Sequence, residues 1–252
     1  MSLEGKVALV TGGSGGLGRV HSLVLAQKGA DIALTANSNL NKAEAVAEEV
    51  RKLGRKALAV KMDISSEAEV TSAVAKIKQE LGPVDILVNN AAFGIVRAVT
   101  IVKMDRKDWD RDLEVNLTGA FNTIKAVMPD MLQKKWGRII NVSSVTGILG
   151  GMGQASYAAT KAGLLGLTKT VALEGARNNV TCNAVILGVF DRGSFYDVAP
   201  EFRERIIKKV ALRRSGEPEE LSNVIAFLAS EESSYVTGIE MIVSGGIELF
   251  TF

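Results

Sequence analysis

Tyr157 and Lys161 stand four residues apart in the stretch SYAATKAGL, 156 to 164. On a helix that spacing puts a phenol and an ammonium on one face. Such a pair could be a proton donor with its activator, or an ordinary exposed pair, and Tyr-x-x-x-Lys alone is too short to decide. Ser143 and Ser144 lie upstream, able to hydrogen-bond a reacting oxygen or simply to cap a helix. Asn116 falls within EVNLTG, in a helical stretch where asparagine is a poor helix former without another task.

A second group of residues could do different chemistry. TGGSGGLG, 11 to 18, contains Gly13-Ser-Gly15-Gly-Leu-Gly18, the G-x-G-x-x-G of dinucleotide-binding turns. It also contains Gly12-Gly-Ser14-Gly-Gly16, the G-x-S-x-G of a hydrolase nucleophile elbow. The elbow needs an acid and then a histidine further along the chain. The single histidine, His21, is only seven residues after Ser14. No triad can be assembled, and His21 is expected on the helix surface. Glycines that let a pyrophosphate approach backbone amides at a helix N-terminus explain the cluster better.

These residues need a scaffold. The 252 residues are 47% hydrophobic and 23% charged, enough apolar material for one large core, and no linker divides them. Thirty basic residues against 28 acidic ones, without a basic run, argue against nucleic acid as a partner. The lone Cys182 excludes an intrachain disulfide and reads as a small core residue. No apolar stretch is long enough to span a membrane, and no signal-peptide pattern opens the chain. A cytoplasmic protein is expected.

Short apolar runs alternate with helical periodicity. KVALVT, ADIALTA, KALAVKMDIS, VDILVNNAA, GRIINVSSV, NNVTCNAVIL and EMIVSGG read as strands, with helices between them. That alternation predicts an α/β fold: a single-domain, Rossmann-like, doubly wound parallel sheet with helices on both faces. Ligands then bind beyond the carboxyl ends of the strands. The second strand ends LTANSN, where a carboxylate would mark NAD and an arginine a 2′-phosphate. Ala36, Asn37 and Ser38 supply neither, and the missing carboxylate favours NADP(H) over NAD(H).

Taken together, the motifs resemble the short-chain dehydrogenase/reductases over essentially the whole chain. Thr-Gly-x-x-x-Gly-x-Gly is TGGSGGLG. Asp63 in MDIS matches the acid after the third strand, NNAA (89–92) the Asn-Asn-Ala-Gly after the fourth, and Asn116 the helical asparagine. Ser144, thirteen residues before Tyr157, and Lys161 complete a tetrad. The resemblance implies Tyr157 as general acid/base, Lys161 as its activator lowering the phenol's pKa, Ser144 as donor to the carbonyl oxygen, and Asn116 as holder of a relay water. It implies cofactor contacts at Gly12, Ser14, Gly15, Gly16, Leu17, Gly18, Asn37, Asp63, Ile64, Asn90, Ala91, Gly188 and Phe190, besides Tyr157 and Lys161, and assigns no metal ligand.

The chain departs from the pattern at three places. Ala92 stands for a glycine, Leu187-Gly188 for Pro-Gly, and Arg192 for a threonine. Arg192 would meet an anionic substrate group or face solvent. Within the family the chain looks most like reductases of 3-oxoacyl thioesters carried on CoA or acyl-carrier protein. Lys103, Arg106, Lys134, Lys135, Arg213 and Arg214 are candidate partners for such a carrier. Residues 189–212, with Phe190, Phe195, Tyr196 and Phe202, are expected to form a substrate lid. These aromatics, with the apolar residues of FGIV (93–96) and of the loop 146–155, line a cleft or are core and oligomer contacts. The tail GGIELFTF and the family suggest a homotetramer. The alternatives are an NAD-dependent dehydrogenase of a small cyclic or polyol alcohol, and a non-catalytic nucleotide-binding sensor or scaffold.

Overall fold

The computed structural model describes residues 1–93, 98–192, 195 and 198–249. Seven strands form one parallel sheet: β1 (Val7–Val10), β2 (Asp31–Ala36), β3 (Ala57–Lys61), β4 (Ile86–Asn89), β5 (Gly137–Ser144), β6 (Val180–Leu187) and β7 (Glu240–Val243). Their spatial order is β3-β2-β1-β4-β5-β6-β7. The order reverses direction between β1 and β4, so a crevice opens there beyond the strand ends.

Nine α-helices join the strands: α1 (Gly16–Gln27), α2 (Leu40–Lys52), α3 (Glu67–Glu80), α4 (Arg106–Leu113), α5 (Gly119–Lys134), α6 (Thr146–Leu149), α7 (Ala155–Gly175), α8 (Pro200–Ile207) and α9 (Pro218–Leu228), counted among the described residues. Strand alternation sorts the core into two halves. Ala8 and Val10 face a cluster with α1, α2 and α9, while Val7 and Leu9 face one with α3, α5 and α7. Burial on both faces explains why these strands read as unbroken apolar runs. Each fully buried Leu, Ile or Val contributes about 1.5–3 kcal/mol. No helix among the described residues is long and apolar enough to cross a membrane.

Two core residues test the reading of the sequence. Cys182 is fully buried on β6, and burial pushes its thiol up to about 12, which suits an inert packing residue. His21 corrects it. It is not on the surface but wholly buried where α1 packs on α9. Ser222 Oγ donates to the Pro218 carbonyl at 2.8 Å, so its lone pair is what remains for His21 Nδ1 at 2.7 Å. That assigns a neutral imidazole with its proton on Nδ1, and burial lowers its pKa to about 3. Helix α1 has two buried sides, one against the sheet and one against α9.

Candidate functional site

The end of β1 is clamped to the end of β4. Thr11 Oγ1 accepts from Asn90 N and Ala91 N, both at 3.0 Å. Asn90 Nδ2 donates to the carbonyls of Thr11 at 3.0 Å and Gly12 at 3.4 Å. The Asn90 side chain is therefore spent on holding the glycine turn, which leaves its backbone to face a ligand. The turn tolerates nothing bulkier on its inner side. A Cβ on Gly18 would lie 2.3 Å from the Gly12 carbonyl oxygen, and one on Gly13 would lie 2.6 Å from Leu34 Cβ. Gly12 and Gly16 have positive φ, which favours glycine.

Gly15, by contrast, faces open space. It opens α1 with no side-chain cap, whereas Asn39, Ser66 and Asp105 cap α2, α3 and α4. The first amides of α1 are thus left for an anion. A closed inner side and a bare outer side make a cradle that fits a dinucleotide's pyrophosphate. Ser14 and Leu17 flank it, half-buried. The crevice continues to Ile64, Ala91, Asn116 and Lys161, which line one narrow cleft together with Thr11 and Asn89.

The adenosine end lies between β2 and β3. Asn37 Nδ2 donates to Asp63 Oδ2 at 3.2 Å, and Ser65 N and Oγ donate to Oδ1 at 2.9 and 2.6 Å. Burial alone would raise the Asp63 carboxyl, but the Ser65 bonds and the charge of Arg111 outweigh it and hold it low.

The tetrad gathers at the carboxyl end of β5. Ser144 ends that strand, and Tyr157 and Lys161 project from the first turns of α7; all three are buried. The Ser144 hydroxyl hydrogen-bonds the Tyr157 phenol and accepts from Thr146 Oγ1 at 3.0 Å. Lys161 Nζ donates to the Val142 carbonyl at 2.7 Å and lies 5.6 Å from the centre of the Tyr157 ring. Ser143 donates to the Lys161 carbonyl at 2.8 Å, which ties strand to helix.

Asn116 sits in a π-helical turn, Glu114–Thr118. Its Oδ1 accepts from Phe93 N at 2.7 Å and its Nδ2 donates to the Phe93 carbonyl at 3.0 Å. A wide turn inside a helix is a frequent mark of a functional position. Here it lets asparagine leave the helical ladder and hold the loop after β4.

In the protein alone, burial pushes Tyr157 up to about 12, with the Ser144 hydrogen bond pulling the other way, and pushes Lys161 down to about 8. Desolvation disfavours both charged forms.

Other expected residues are placed plainly. Gly188 is buried, and a Cβ there would lie 2.7 Å from Ser244 Cα. The Phe190 ring turns into the core beside Gly216, so its side chain is a packing group and only its backbone is left to contact a cofactor. Arg192 is exposed, and so is Phe202. Of the lid segment and FGIV, residues 193, 194, 196 and 197 and residues 94–96 lie outside the described residues, as do Phe250 and Phe252. Several basic candidates are neutralised within the chain: Lys134 by Asp85, Arg106 by Asp110 and Arg214 by Glu220.

Sequence reasoning missed a buried polar chain under the site. Thr123 donates to Asn89 Oδ1 at 2.6 Å, Asn89 to Asn141 Oδ1 at 2.9 Å, and Asn141 to Thr168 at 2.9 Å. It ties β4 and β5 to α5 and α7; the signal was asparagine inside apolar strands. It also missed Asp112 on α4, fully buried, which accepts from Ser156 beside Tyr157 and so pins the start of α7. Arg111, at Asp63, was missed as well.

Comparison with known proteins agrees with this geometry. The family model for short chain dehydrogenases matches residues 6–200. The chain is 42% identical over 248 residues to a 3-oxoacyl-[acyl-carrier-protein] reductase of Aquifex aeolicus, covering 98% of this chain and 99% of that one. It is 40% identical over 247 residues to the reductase of the same name from Thermotoga maritima, again at 98% and 99% coverage. For that of Staphylococcus epidermidis the identity is 39% over 242 residues, covering 96% and 98%. A glycine cradle at the β1–β4 crevice, a buried Ser-Tyr-Lys group beside it and near-full-length relatives lead to one conclusion: the chain belongs to the short-chain dehydrogenase/reductase family, whose members are NAD(P)-dependent oxidoreductases.

Proposed function

We propose that this enzyme uses NADPH to reduce the 3-oxo group of an acyl thioester, carried on acyl-carrier protein or CoA, to the 3-hydroxy group. The observation that carries the reading is the buried Tyr157 phenol, hydrogen-bonded to Ser144 and neighboured by Lys161 where β5 ends. The substrate follows from the relatives, which are named for that reaction and align along nearly their whole length.

The glycine cradle and the crevice beyond it would hold the dinucleotide, whose reduced nicotinamide would supply the hydride. Ser144 donates to the carbonyl oxygen and holds it against Tyr157. Tyr157 passes its proton to that oxygen as negative charge develops there. Burial supports the reductive direction, because it keeps the phenol protonated throughout the neutral range. The tyrosinate left behind is stabilised by the Lys161 ammonium and recovers its proton from it. Lys161, lowered to about 8, can give up that proton near neutrality. Asn116 borders the same cleft and lines the route by which Lys161 is recharged from solvent. A tetramer belongs to the same reading; exposed Phe121 on α5 and Leu173 on α7 are apolar groups that subunit contacts would cover.

The test follows loss of reduced-nicotinamide absorbance with acetoacetyl-CoA. NADPH should be consumed far faster than NADH. Tyr157→Phe should lower kcat by about a thousandfold or more, since it removes the group that passes its proton to the carbonyl oxygen, while NADPH affinity is retained. Near-normal turnover in that variant would sink the mechanism. Binding of NADPH without its oxidation by any thioester or ketone would favour the sensor or scaffold instead.

A further inference from the structure

The tip of β2 is where this class of fold reads the adenosine ribose, with a carboxylate on free hydroxyls or an arginine on a 2′-phosphate. Asn37 occupies that tip, exposed and flanked by uncharged Ala36 and Ser38. The fold brings a cation there from α4. Asn37 Nδ2 and Arg111 Nη2 approach the same atom, Asp63 Oδ2, at 3.2 and 3.5 Å. One carboxylate oxygen is all that separates the β2 tip from a guanidinium.

Arg111 is held loosely. Its other polar contacts are Ser65 Oγ at 3.2 Å and Glu114 Oε2 at 3.6 Å, and the Phe93 ring lies 5.9 Å away. Arg214, by comparison, grips Glu220 through two nitrogens at 2.7 Å each. Asp63 does not depend on Arg111 for its bonds, because Ser65 saturates one oxygen and Asn37 reaches the other. The Arg111 side chain is 38% exposed, long and free to swing by a few ångströms. An anion at this tip would meet three carboxylates, Asp63, Glu114 and Glu69, whose Oε2 accepts from Asp63 N at 3.0 Å, and the Arg111 guanidinium is what turns repulsion into attraction.

We infer that Arg111 reads the 2′-phosphate of the cofactor, exchanging its long contact with Asp63 for the phosphate oxygens beside Asn37. The planar fork suits a phosphate, and Asp63 is then released toward the adenine. This assignment rests on the NADPH preference proposed above and names the residue responsible for it.

The test is calorimetric binding of two cofactor fragments, adenosine 2′,5′-bisphosphate and adenosine 5′-monophosphate, which differ only in the 2′-phosphate. The proteins are the wild type, Arg111→Met, Arg111→Lys and, as a comparison, Lys42→Met on the first turn of α2. The wild type should prefer the bisphosphate. Arg111→Met should lose about ten- to a hundredfold in bisphosphate affinity, the loss expected for a charge-assisted bond, and nothing for the monophosphate. Arg111→Lys should fall between, and Lys42→Met should match the wild type. A wild-type preference that survives Arg111→Met, or that is lost in Lys42→Met instead, overturns the assignment and leaves the NADPH reading standing. Equal loss of both fragments in Arg111→Met makes Arg111 an adenine or scaffold contact and likewise overturns it. A wild type indifferent to the 2′-phosphate overturns the NADPH reading itself, and this assignment with it.

Discussion

Replacing Lys161 by methionine should stabilise the protein while abolishing turnover. Lys161 is buried with a single hydrogen bond, from Nζ to the Val142 carbonyl. Burial lowers its pKa from 10.5 to about 8. Each unit of difference between folded and unfolded chain is about 1.4 kcal/mol, so carrying the ammonium into the fold costs about 3 kcal/mol near neutral pH. Methionine keeps an unbranched stem of similar length and removes the charge. It also removes the bond to Val142, worth about 1 kcal/mol. The net gain is about 2 kcal/mol.

The pH dependence identifies the cause. Above 10.5 the amine is neutral in both states and carries no penalty. As pH falls from 10.5 toward 8, the unfolded chain takes up a proton that the fold refuses, and the penalty grows. Below 8 it is complete. The advantage of the methionine variant should therefore be largest below pH 8 and shrink on the alkaline side. Tyr157, raised from 10.0 to about 12, is present in both proteins, so its own titration cancels in the difference. Urea unfolding of the cofactor-free proteins at about pH 7 and about pH 9.5 measures the difference from midpoints and slopes. A variant less stable than wild type at the lower pH, or a gain equal at both, would refute the assignment of the penalty to a buried charge.

Two further outcomes follow from the packing. Gly18→Ala places a Cβ 2.3 Å from the Gly12 carbonyl oxygen; backbone must move, so stability should drop by about 1–3 kcal/mol and NADPH binding with it. Gly15→Ala meets nothing and sits at an extended φ of −177, so its melting temperature should equal the wild type's, and equal melting losses in the two variants would contradict the cradle. His21, lowered from 6.5 to about 3, refuses a proton that the unfolded chain accepts below 6.5, so acidification through that range removes stability. Proton NMR of the imidazole should show no titration between about pH 5 and 8, and a midpoint near 6.5 would place the ring in water instead.

What the sequence discloses about this molecule tracks what is local or repeated. Strands buried on both faces, such as β1, β4 and β5, leave contiguous apolar runs and were legible; β7, with no buried residue, and β3 were read from shorter apolar runs, and KALAVKMDIS yields β3 only at Ala57–Lys61. Asn116 was legible as an anomaly because asparagine opposes its helix, although only the structure reveals the π-helical turn that resolves the conflict. His21 was misjudged because α1 packs against α9 from far along the chain, and no periodicity within α1 reveals a second buried face. Phe190, open between cleft and core in the sequence, packs into the core against Gly216, a contact that leaves no signal at position 190.

Arg111 is the sharper case. The residues adjacent in sequence at the β2 tip include no arginine, while in space Arg111 approaches the tip across Asp63. Charged groups on exposed helix turns carry no periodic constraint, so their spatial partners have to be found through the fold. The same holds for the tetrad's acid-base balance. Residue spacing puts an ammonium beside a phenol, but burial decides which proton is held. With Tyr157 pushed up and Lys161 pushed down to about 8, the protein by itself holds a neutral phenol beside an ammonium near neutral pH. A charged transition state must then draw its stabilisation from groups already aimed at the reacting oxygen, which places the burden on Ser144 and on the closeness of Lys161 rather than on a preformed tyrosinate.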